Sequence, residues 1–492
     1  MFTHRIRLFI FMFLAVAVLG IVGGSTALAQ GPQPKSPRDA TTKALSTNFT
    51  LVNLSNLDAP TTVQYFKTDG SAWTASAASS SFTVPGNGGQ VIVRQYTDTT
   101  MNPGSGSAVV SSQQQLGAVV QIQNKGGGNP TSGAYAGFLQ GSSKFYVPLV
   151  GKQLSSASGV SNSQIWIQNT SPSAPASVSV QFTGTTNYTK SGISIPANST
   201  FNYDLTNEAN LPNNWSGSAV VDAGTGSVVV ISNFFQGADT LQTYNAFPST
   251  SLGPTWLVPL FTSRLANGLS TPVAVQNLSG GQLAIGAVTL TCTPDPTSSG
   301  LSSFTKSNTA AIPINGAYYF NPVTDTSFTA GWFGSCRLSA GSANVVSFVQ
   351  MRFIGTANAD SYDAINAGGT NKTVFAPLVA KRLSNGFATA VTIQNLSSTA
   401  DAHVSLTYKH SPDCTGCADF TAPSVTILKG TSLIQNQRVA VFTVNGTAMP
   451  DGWFGTLRAV SSDQPIDGFV QLTYINGQPG DTFMTHNAFT LP

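Results

Sequence analysis

The sequence is poor in charge. Of its 492 residues, 22 are Lys or Arg and 19 are Asp or Glu, so charged residues make up only 8%, against roughly 25% in a typical soluble domain. Hydrophobic residues nevertheless reach 41%, which excludes a disordered chain, because disorder requires few hydrophobic residues and a high net charge. The net charge is +3 and no basic cluster occurs, which argues against nucleic acid as a partner.

Groups for acid–base catalysis are scarce as well. Glu208 is the one glutamate, and after His4 the histidines are His403, His410 and His486. No Gly-x-Ser-x-Gly, His-Glu-x-x-His or phosphate-binding glycine loop is present. We therefore expect a protein that is not an enzyme and has no cofactor or metal.

The acidic pair Asp360 and Asp363 offers two carboxylates that calcium could use. Two carboxylates in a loop rich in Ser and Asn are more often solvated, and we expect solvation here.

One apolar run stands out, and it lies at the N-terminus. Arg5 and Arg7 precede the 15-residue run Leu8 to Val22, which is shorter than the roughly 20 residues that span a bilayer. A small-residue site, Ala27-Leu28-Ala29, follows. These features predict a secretory signal peptide over residues 1–29, with an uncleaved anchor as the alternative. We expect a secreted, extracellular or cell-surface protein without a membrane span after cleavage.

The rest of the chain is organised around a stretch that recurs, Ala376 to Asn395, which reads APLVAKRLSNGFATAVTIQN. Its two landmarks are a Pro-Leu pair and a strand ending in Gln-Asn or Val-Asn. The Pro-Leu prolines are Pro148, Pro259 and Pro377, and the asparagines are Asn53, Asn169, Asn277 and Asn395. The asparagines lie 116, 108 and 118 residues apart, a period that fits a whole domain rather than a solenoid repeat.

Four repeats follow from this spacing, and the first lacks the Pro-Leu strand. We place a flexible Pro-rich linker at residues 30–44 and the repeats at residues 45–141, 142–250, 251–370 and 371–492. In each repeat apolar residues alternate in short runs bounded by Gly, Asn, Pro and Ser, as Val178, Val180 and Phe182 do. This pattern predicts an all-β chain of four tandem antiparallel β-sandwiches of about seven strands each, standing in a row.

A Trp and a Gly-led strand recur near the end of the repeats. Trp215, Trp332 and Trp453 precede strands that begin with Gly, and we expect these indoles to pack at the end of the core. In size and strand count the chain resembles secreted tandem β-sandwich repeat proteins of bacterial envelopes, which are immunoglobulin-like. The resemblance implies architecture alone.

The four cysteines lie in the last two repeats. Cys292 and Cys336 fall at inward positions of two strands in one repeat, which predicts a buried disulfide in an exported protein. Cys414 and Cys417 form Cys-Thr-Gly-Cys four residues after His410, and a small loop disulfide is favoured there. A zinc or redox site is the alternative, although neither a fourth ligand nor a helix N-terminus accompanies it.

Strand alternation points Trp166 outward, where Ala274 and Thr392 stand in sister repeats. It predicts either a contact with a neighbouring domain, which we favour, or a sugar-stacking platform. We expect a structural or adhesive surface protein whose partners are cell-envelope polysaccharide or other surface proteins. The alternatives are a carbohydrate-binding array and, through the strand that repeat 1 lacks, self-association into a filament by strand exchange.

Overall fold

A computed structural model describes the backbone of residues 6–14 and the residues 45–124, 129–156, 159–237, 239–477 and 479–491. Antiparallel β-strands dominate it, and its one α-helix, α1 (Ala77–Ser80), is a single turn. Three 3-10 turns cover Gln95–Thr97, Leu205–Asn207 and Ser249–Ser251. The all-β prediction is confirmed, while the boundaries of the repeats stay a prediction. The linker at residues 30–44 lies outside the described residues, as does most of the predicted signal peptide.

The strands follow the repeats in chain order. Before and within repeat 1 they are β1 (Ile6–Leu14), β2 (Leu45–Asn53), β3 (Ala59–Lys67), β4 (Ser81–Val84), β5 (Gln90–Val93), β6 (Gly104–Ser112), β7 (Leu116–Asn124) and β8 (Ser132–Ala136). In repeat 2 they are β9 (Lys144–Lys152), β10 (Leu154–Ser156), β11 (Gly159–Asn169), β12 (Ala176–Gly184), β13 (Tyr188–Ile195), β14 (Thr200–Asp204), β15 (Trp215–Asp222), β16 (Val228–Gln236), β17 (Thr240–Asn245) and β18 (Phe247–Pro248).

In repeat 3 they are β19 (Thr255–Ser263), β20 (Leu269–Ser270), β21 (Val273–Asn277), β22 (Thr289–Pro294), β23 (Phe304–Ser307), β24 (Ala317–Phe320), β25 (Trp332–Ser339), β26 (Val345–Phe353), β27 (Ala359–Asp363) and β28 (Ile365–Asn366). In repeat 4 they are β29 (Thr373–Ala380), β30 (Phe387–Asn395), β31 (Ala402–His410), β32 (Phe420–Ile427), β33 (Ser432–Asn436), β34 (Thr443–Val444), β35 (Thr447–Ala448), β36 (Phe454–Ser461), β37 (Ile466–Tyr474), β38 (Phe483–Asn487) and β39 (Phe489–Leu491).

Each repeat contributes two sheets with the same strand order. One, which we name the Pro-Leu sheet, has the order β13-β12-β15-β9-β18 in repeat 2, β23-β22-β25-β19-β28 in repeat 3 and β32-β31-β36-β29-β39 in repeat 4. The other, the Gln-Asn sheet, places β11, β21 and β30 between one short strand and a long return strand. Because the two sheets pack over shared apolar side chains, each pair is a sandwich.

The two kinds of sheet differ in burial. In the Pro-Leu sheet, β12 and β31 alternate between buried and more exposed residues, as expected of strands with one face in the core. In the Gln-Asn sheet, every residue of β30 is buried. Both faces of this sheet are therefore covered, one by its own sandwich and the other by a neighbouring repeat.

The repeats form a closed ring, so the expected row of domains is wrong. One hydrogen bond recurs at every junction: a hydroxyl at the start of the Gly-led strand donates to the carbonyl of a left-handed turn residue in the next repeat. The pairs are Ser107 to Asn198, Ser218 to Asn315, Ser335 to Gly430 and Thr456 to Gly88. The last pair joins repeat 4 to repeat 1. A head-to-tail interface of this kind gives a ring when its rotation closes.

Apolar packing also closes the ring between the first and last repeats. Val52 and Leu54 of repeat 1 form a buried cluster with Phe375 and Phe489 of repeat 4. The contact is close, because a Cβ added at Gly117 would lie 2.6 Å from the Phe489 ring. Glycine at that position therefore lets the two repeats meet.

Candidate functional site

The strands that end each repeat meet at the centre of the ring. They are β8, β17, β27 and β38, and each contacts the next in cyclic order, with β38 returning to β8. We name these four strands the hub. At one shared position they carry Tyr135, Tyr244, Tyr362 and His486, all of them buried. Strands of all four repeats therefore meet in the hub.

Asp360 lies inside the hub and is fully buried. Its carboxylate accepts backbone hydrogen bonds from the three other repeats: from Ala134 at 3.1 Å, from Thr243 at 2.7 Å and from Thr485 at 2.6 Å. Burial raises the pKa of Asp360 well above its usual value, and the amide donors oppose that rise. The expectation that this carboxylate is solvated is wrong, since Asp360 ties the repeats together.

A second buried carboxylate lies nearby. Asp481 of repeat 4 accepts from the amides of Leu241 at 3.0 Å, Ala359 at 3.3 Å and Phe483 at 3.2 Å. Burial is the main cause that raises its pKa, and the charge of Asp360 adds to the effect. Repeats 2, 3 and 4 are thus joined by a second set of amide donors. Buried carboxylates that accept this many amides act as structural cross-links.

Each Pro-Leu pair lies at a β-bulge, and in repeats 2 and 3 a hub tyrosine hydrogen-bonds to the leucine backbone of that bulge. The register with the Gly-led strand shifts between Val147 and Val150, and the same shift occurs at Pro259-Leu260 and Pro377-Leu378. Proline lacks a donor, so a bulge suits it inside a sheet. The Tyr244 hydroxyl donates to the Leu149 carbonyl at 2.6 Å and accepts from the Leu149 amide at 3.2 Å.

Repeat 3 shows the same contact, and repeat 4 departs from it. The Tyr362 hydroxyl donates to the Leu260 carbonyl at 3.1 Å and accepts from the Leu260 amide at 3.4 Å. In repeat 4 the corresponding side chain is His486, whose Nδ1 lies 2.8 Å from the carbonyl of Asn487. Burial lowers the pKa of His486 to about 4, so the imidazole is neutral at physiological pH. The side chain is 2% exposed, like the tyrosines at the same position of the other repeats.

The side chains of the four repeated asparagines hydrogen-bond to the turn that follows them and to the backbone of the facing sheet, and so join the two sheets of a sandwich. In repeat 2, Asn169 Nδ2 donates to the carbonyls of Ala174 and Ile195, at 2.8 and 3.0 Å, while its Oδ1 accepts from the amide of Ser171. Asn53, Asn277 and Asn395 make the same kinds of bond. Few other residues could replace asparagine here, because its side chain donates to several buried carbonyls and accepts from an amide at the same time.

The repeated tryptophans are buried at one end of each core. The indole nitrogens of Trp215, Trp332 and Trp453 donate to the carbonyls of a loop in the same repeat, those of Thr186, Ser302 and Ala418.

Repeat 1 has an indole in the corresponding contact, which sequence reasoning missed. Trp73, in the loop after β3, donates to the carbonyl of Asn102 just before β6. The loop supplies the indole in this repeat, whereas the Gly-led strand supplies it in the others. A search for a Trp before the Gly-led strand could not find it.

Trp166 does not present an open ring to solvent. Its side chain is 6% exposed, and Nε1 donates to Gln164 Oε1 at 3.0 Å. It belongs to the main apolar cluster, which includes residues of all four repeats. The covered face of the Gln-Asn sheet accounts for this burial, because outward positions on that sheet face another repeat rather than water.

Both cysteine pairs are disulfides. Cys292 and Cys336 are direct neighbours on β22 and β25 and are buried. Cys414 and Cys417 close the loop after β31. In the described part of the chain, no cluster of three or more His, Cys, Asp or Glu residues could hold a metal.

The remaining histidines form exposed pairs with aspartates. His403 Nδ1 lies 2.7 Å from Asp463, and His410 Nδ1 lies 2.6 Å from Asp419. A catalytic triad would add a nucleophile bonded to the other ring nitrogen. Neither pair has such a bond to a hydroxyl or thiol within the described residues. Glu208, the one glutamate, accepts from the hydroxyl of Tyr203 and the amides of Asn210.

Two of the concave surfaces are ligand candidates. A cavity of about 370 Å³ at one end of the hub is lined by residues of every repeat, including Ala136, Asn245, Asp363 and Asp467. Burial raises the pKa of Asp363 well above its usual value and that of Asp467 to about 7. An open groove of about 670 Å³ in repeat 3 is lined by Tyr318, Asn308, Asn321, Lys306, Asp325 and Phe328, among others.

Comparison with known proteins assigns no family: neither a protein-family model nor a curated protein matches the chain. Within the residues that the structure describes, no helix is long and apolar enough to cross a membrane. The functional argument therefore rests on geometry and chemistry.

Proposed function

We propose that the protein is a secreted, non-catalytic structural or adhesive protein of the cell surface. The observation that carries this proposal is the buried carboxylate of Asp360, which accepts amides from all three other repeats. We expect the shared acceptor to couple the four sandwiches into one cooperative unit, which would resist unfolding and proteolysis better than four independent domains. A nearly uncharged surface and the two disulfides suit the same role outside the cell.

The partners that fit this surface are cell-envelope polysaccharide or other surface proteins. The chain offers many hydroxyl and amide groups but few charges, so recognition would depend on hydrogen bonds and shape rather than on electrostatic attraction. Recognition of this kind requires no catalytic residues.

A deletion strain of the producing organism tests the proposal. Loss of the protein is expected to reduce adhesion or cell aggregation, and the wild-type gene should restore it. Asp360→Ala, which removes the shared acceptor, should fail to restore it, while the matched Gln242→Ala, at the same strand position in repeat 2, should succeed. Unchanged adhesion in the deletion strain, or turnover of glycan or peptide substrates by the pure chain, would refute the proposal.

Carbohydrate binding is a second candidate, supported by the groove in repeat 3. Tyr318 is partly exposed there beside the amide side chain of Asn321, and a tyrosine face with a neighbouring amide is compatible with a sugar subsite. Tyr318→Ala should abolish signals on a glycan array, while Tyr188→Ala in repeat 2 should not. A blank array for the wild-type chain removes this candidate.

A further inference from the structure

The first sandwich contains a strand position that its own repeat does not fill. In repeats 2, 3 and 4 the Gly-led strands β15, β25 and β36 pair with the Pro-Leu strands β9, β19 and β29. In repeat 1 the Gly-led strand β6 pairs instead with β1, residue by residue from Ile6 with Ser112 to Leu14 with Gly104. We name this position the slot. Its occupant lies within the predicted signal peptide, so cleavage after residue 29 would separate it from the chain.

The strand that occupies the slot covers the core of repeat 1. Besides pairing with β6, the strand in it contacts β2 and β7 of the facing sheet. Without an occupant, β6 becomes an edge of unpaired backbone donors and acceptors. Phe49 of β2 and Val120 of β7 are fully buried and lie on the two strands that β1 contacts, so we expect the core of repeat 1 to lose part of its cover. A sandwich in that state binds an added strand readily.

The strand in the slot differs from its three counterparts in one respect. The pairing of β1 with β6 has no register shift, whereas each Pro-Leu strand has a bulge. The bulge matters to the next repeat, because its proline carbonyl accepts a hydrogen bond across the junction. Tyr319 donates to Pro148 at 3.4 Å and Ser432 to Pro259 at 2.7 Å.

The junction from repeat 4 to repeat 1 follows the same rule. With its amide nitrogen turned toward repeat 4, Gln90 donates to the Pro377 carbonyl at 3.2 Å. Three of the four junctions thus use a proline carbonyl. The junction between repeats 1 and 2 has no Pro-Leu strand to supply one.

Repeat 2 carries unsatisfied polar groups at that junction. By strand pairing, Thr200 stands opposite Gln168, as Ser432 stands opposite Gln394 in repeat 4. Thr200 is 4% exposed and Gln168 is 0% exposed. The hydroxyl of Thr200 and both amide atoms of Gln168 have no partner among the described residues. Buried polar groups are normally hydrogen-bonded. The face of repeat 2 that carries Thr200 and Gln168 therefore fits a bulged Pro-Leu strand, and β1 has no such bulge.

We propose that the slot of the secreted chain accepts, from another polypeptide, an extended strand with an apolar–Pro–apolar centre, antiparallel to Gly104–Ser112. Apolar alternation would complete the core of repeat 1, and the bulged proline carbonyl would satisfy the hydroxyl of Thr200. A second copy of this chain is a poor donor, because its strands of this kind are already paired on both sides, as β9 is by β15 and β18. The partner is therefore a different protein with a free strand of Val-Pro-Leu type.

The test uses a chain with a site-specific protease site inserted after Ala29, cleaved after folding, so that the shorter chain need not fold alone. The probe is the synthetic peptide KFYVPLVGK, the sequence of β9. We expect the peptide to bind the cleaved chain at micromolar concentration and to slow amide exchange in Gly104–Ser112 at least tenfold. The uncleaved chain, whose slot holds β1, should bind at least tenfold more weakly.

Two matched controls isolate the features that the proposal uses. A peptide with alanine in place of the proline, and the Thr200→Val variant, should each weaken binding several-fold, while a scrambled peptide should not bind. Equal binding before and after cleavage would overturn the proposal, because the peptide would then bind elsewhere. Full protection of Gly104–Ser112 in the cleaved chain without peptide would also overturn it, because residues 30–44 or the retained β1 would then fill the slot. Neither outcome bears on the adhesion test.

Discussion

The buried carboxylate of Asp360 gives the sharpest test of how the repeats hold together. Asp360→Ala removes the acceptor of three backbone amides, those of Ala134, Thr243 and Thr485. Each buried donor left without a partner costs about 1–3 kcal/mol. We therefore expect the free energy of unfolding to fall by at least about 3 kcal/mol, whichever ionisation state the carboxyl has, because both states accept these bonds.

Urea unfolding of the full chain at pH 7 measures this loss, and amide exchange locates it. The three amides lie on strands of three different repeats, so their exchange should accelerate together. Gln242→Ala is the control: this side chain holds the same strand position in repeat 2, but its Oε1 accepts mainly from Gln350, at 2.8 Å. The control should lose about 1 kcal/mol. A loss below about 1 kcal/mol in Asp360→Ala, or equal losses in both variants, would refute the cross-linking role.

Three further predictions concern other contacts. Cys336→Ala removes the buried disulfide, which closes a separation of 44 residues, so chain entropy predicts a loss of about 4 kcal/mol; thermal unfolding without reductant checks it, and an unchanged melting temperature would contradict it. Thr456→Val and Ser218→Ala break equivalent junction bonds and should each cost about 1 kcal/mol, whereas a loss in Ser218→Ala alone would mean that the ring is open in solution. Burial raises the pKa of Asp467 from 3.8 to about 7, so its contribution to stability is fully present below about pH 4 and is lost as pH rises through about 7. Asp467→Asn should flatten that decline in pH-dependent unfolding, and an identical pH profile would argue against the shift.

The alternation of apolar residues along the strands could be read without a structure. Val178, Val180 and Phe182 all point into one core, because successive side chains of a strand point to opposite faces. The disulfide between Cys292 and Cys336 followed from the same reasoning, since two inward positions on strands of one sandwich are candidates for pairing. The periodicity of apolar residues was sufficient for the strand prediction, and the same periodicity with the oxidising environment of an exported protein was sufficient for the disulfide.

The ring depended on information that no single repeat contains. Ser107, Ser218, Ser335 and Thr456 recur visibly in the sequence, but their acceptors lie 91, 97 and 95 residues ahead in the first three cases and 368 residues back in the fourth. Side-chain spacing along a strand carries no information on which surface meets which. For the outward position of Trp166 the sequence therefore favoured a neighbouring domain over a sugar platform, but it could not say which repeat covers that face.

The sequence by itself determined that the chain is all-β, that its units repeat and that one Pro-Leu strand is missing, because these follow from periodicity and spacing. Only the tertiary structure decided that the repeats close on themselves and that Asp360 lies at their centre rather than in water. It also placed residues 6–14 in the strand position that the residues of repeat 1 itself do not fill. Burial and partner choice come from contacts between residues far apart in the chain, and local pattern does not encode them.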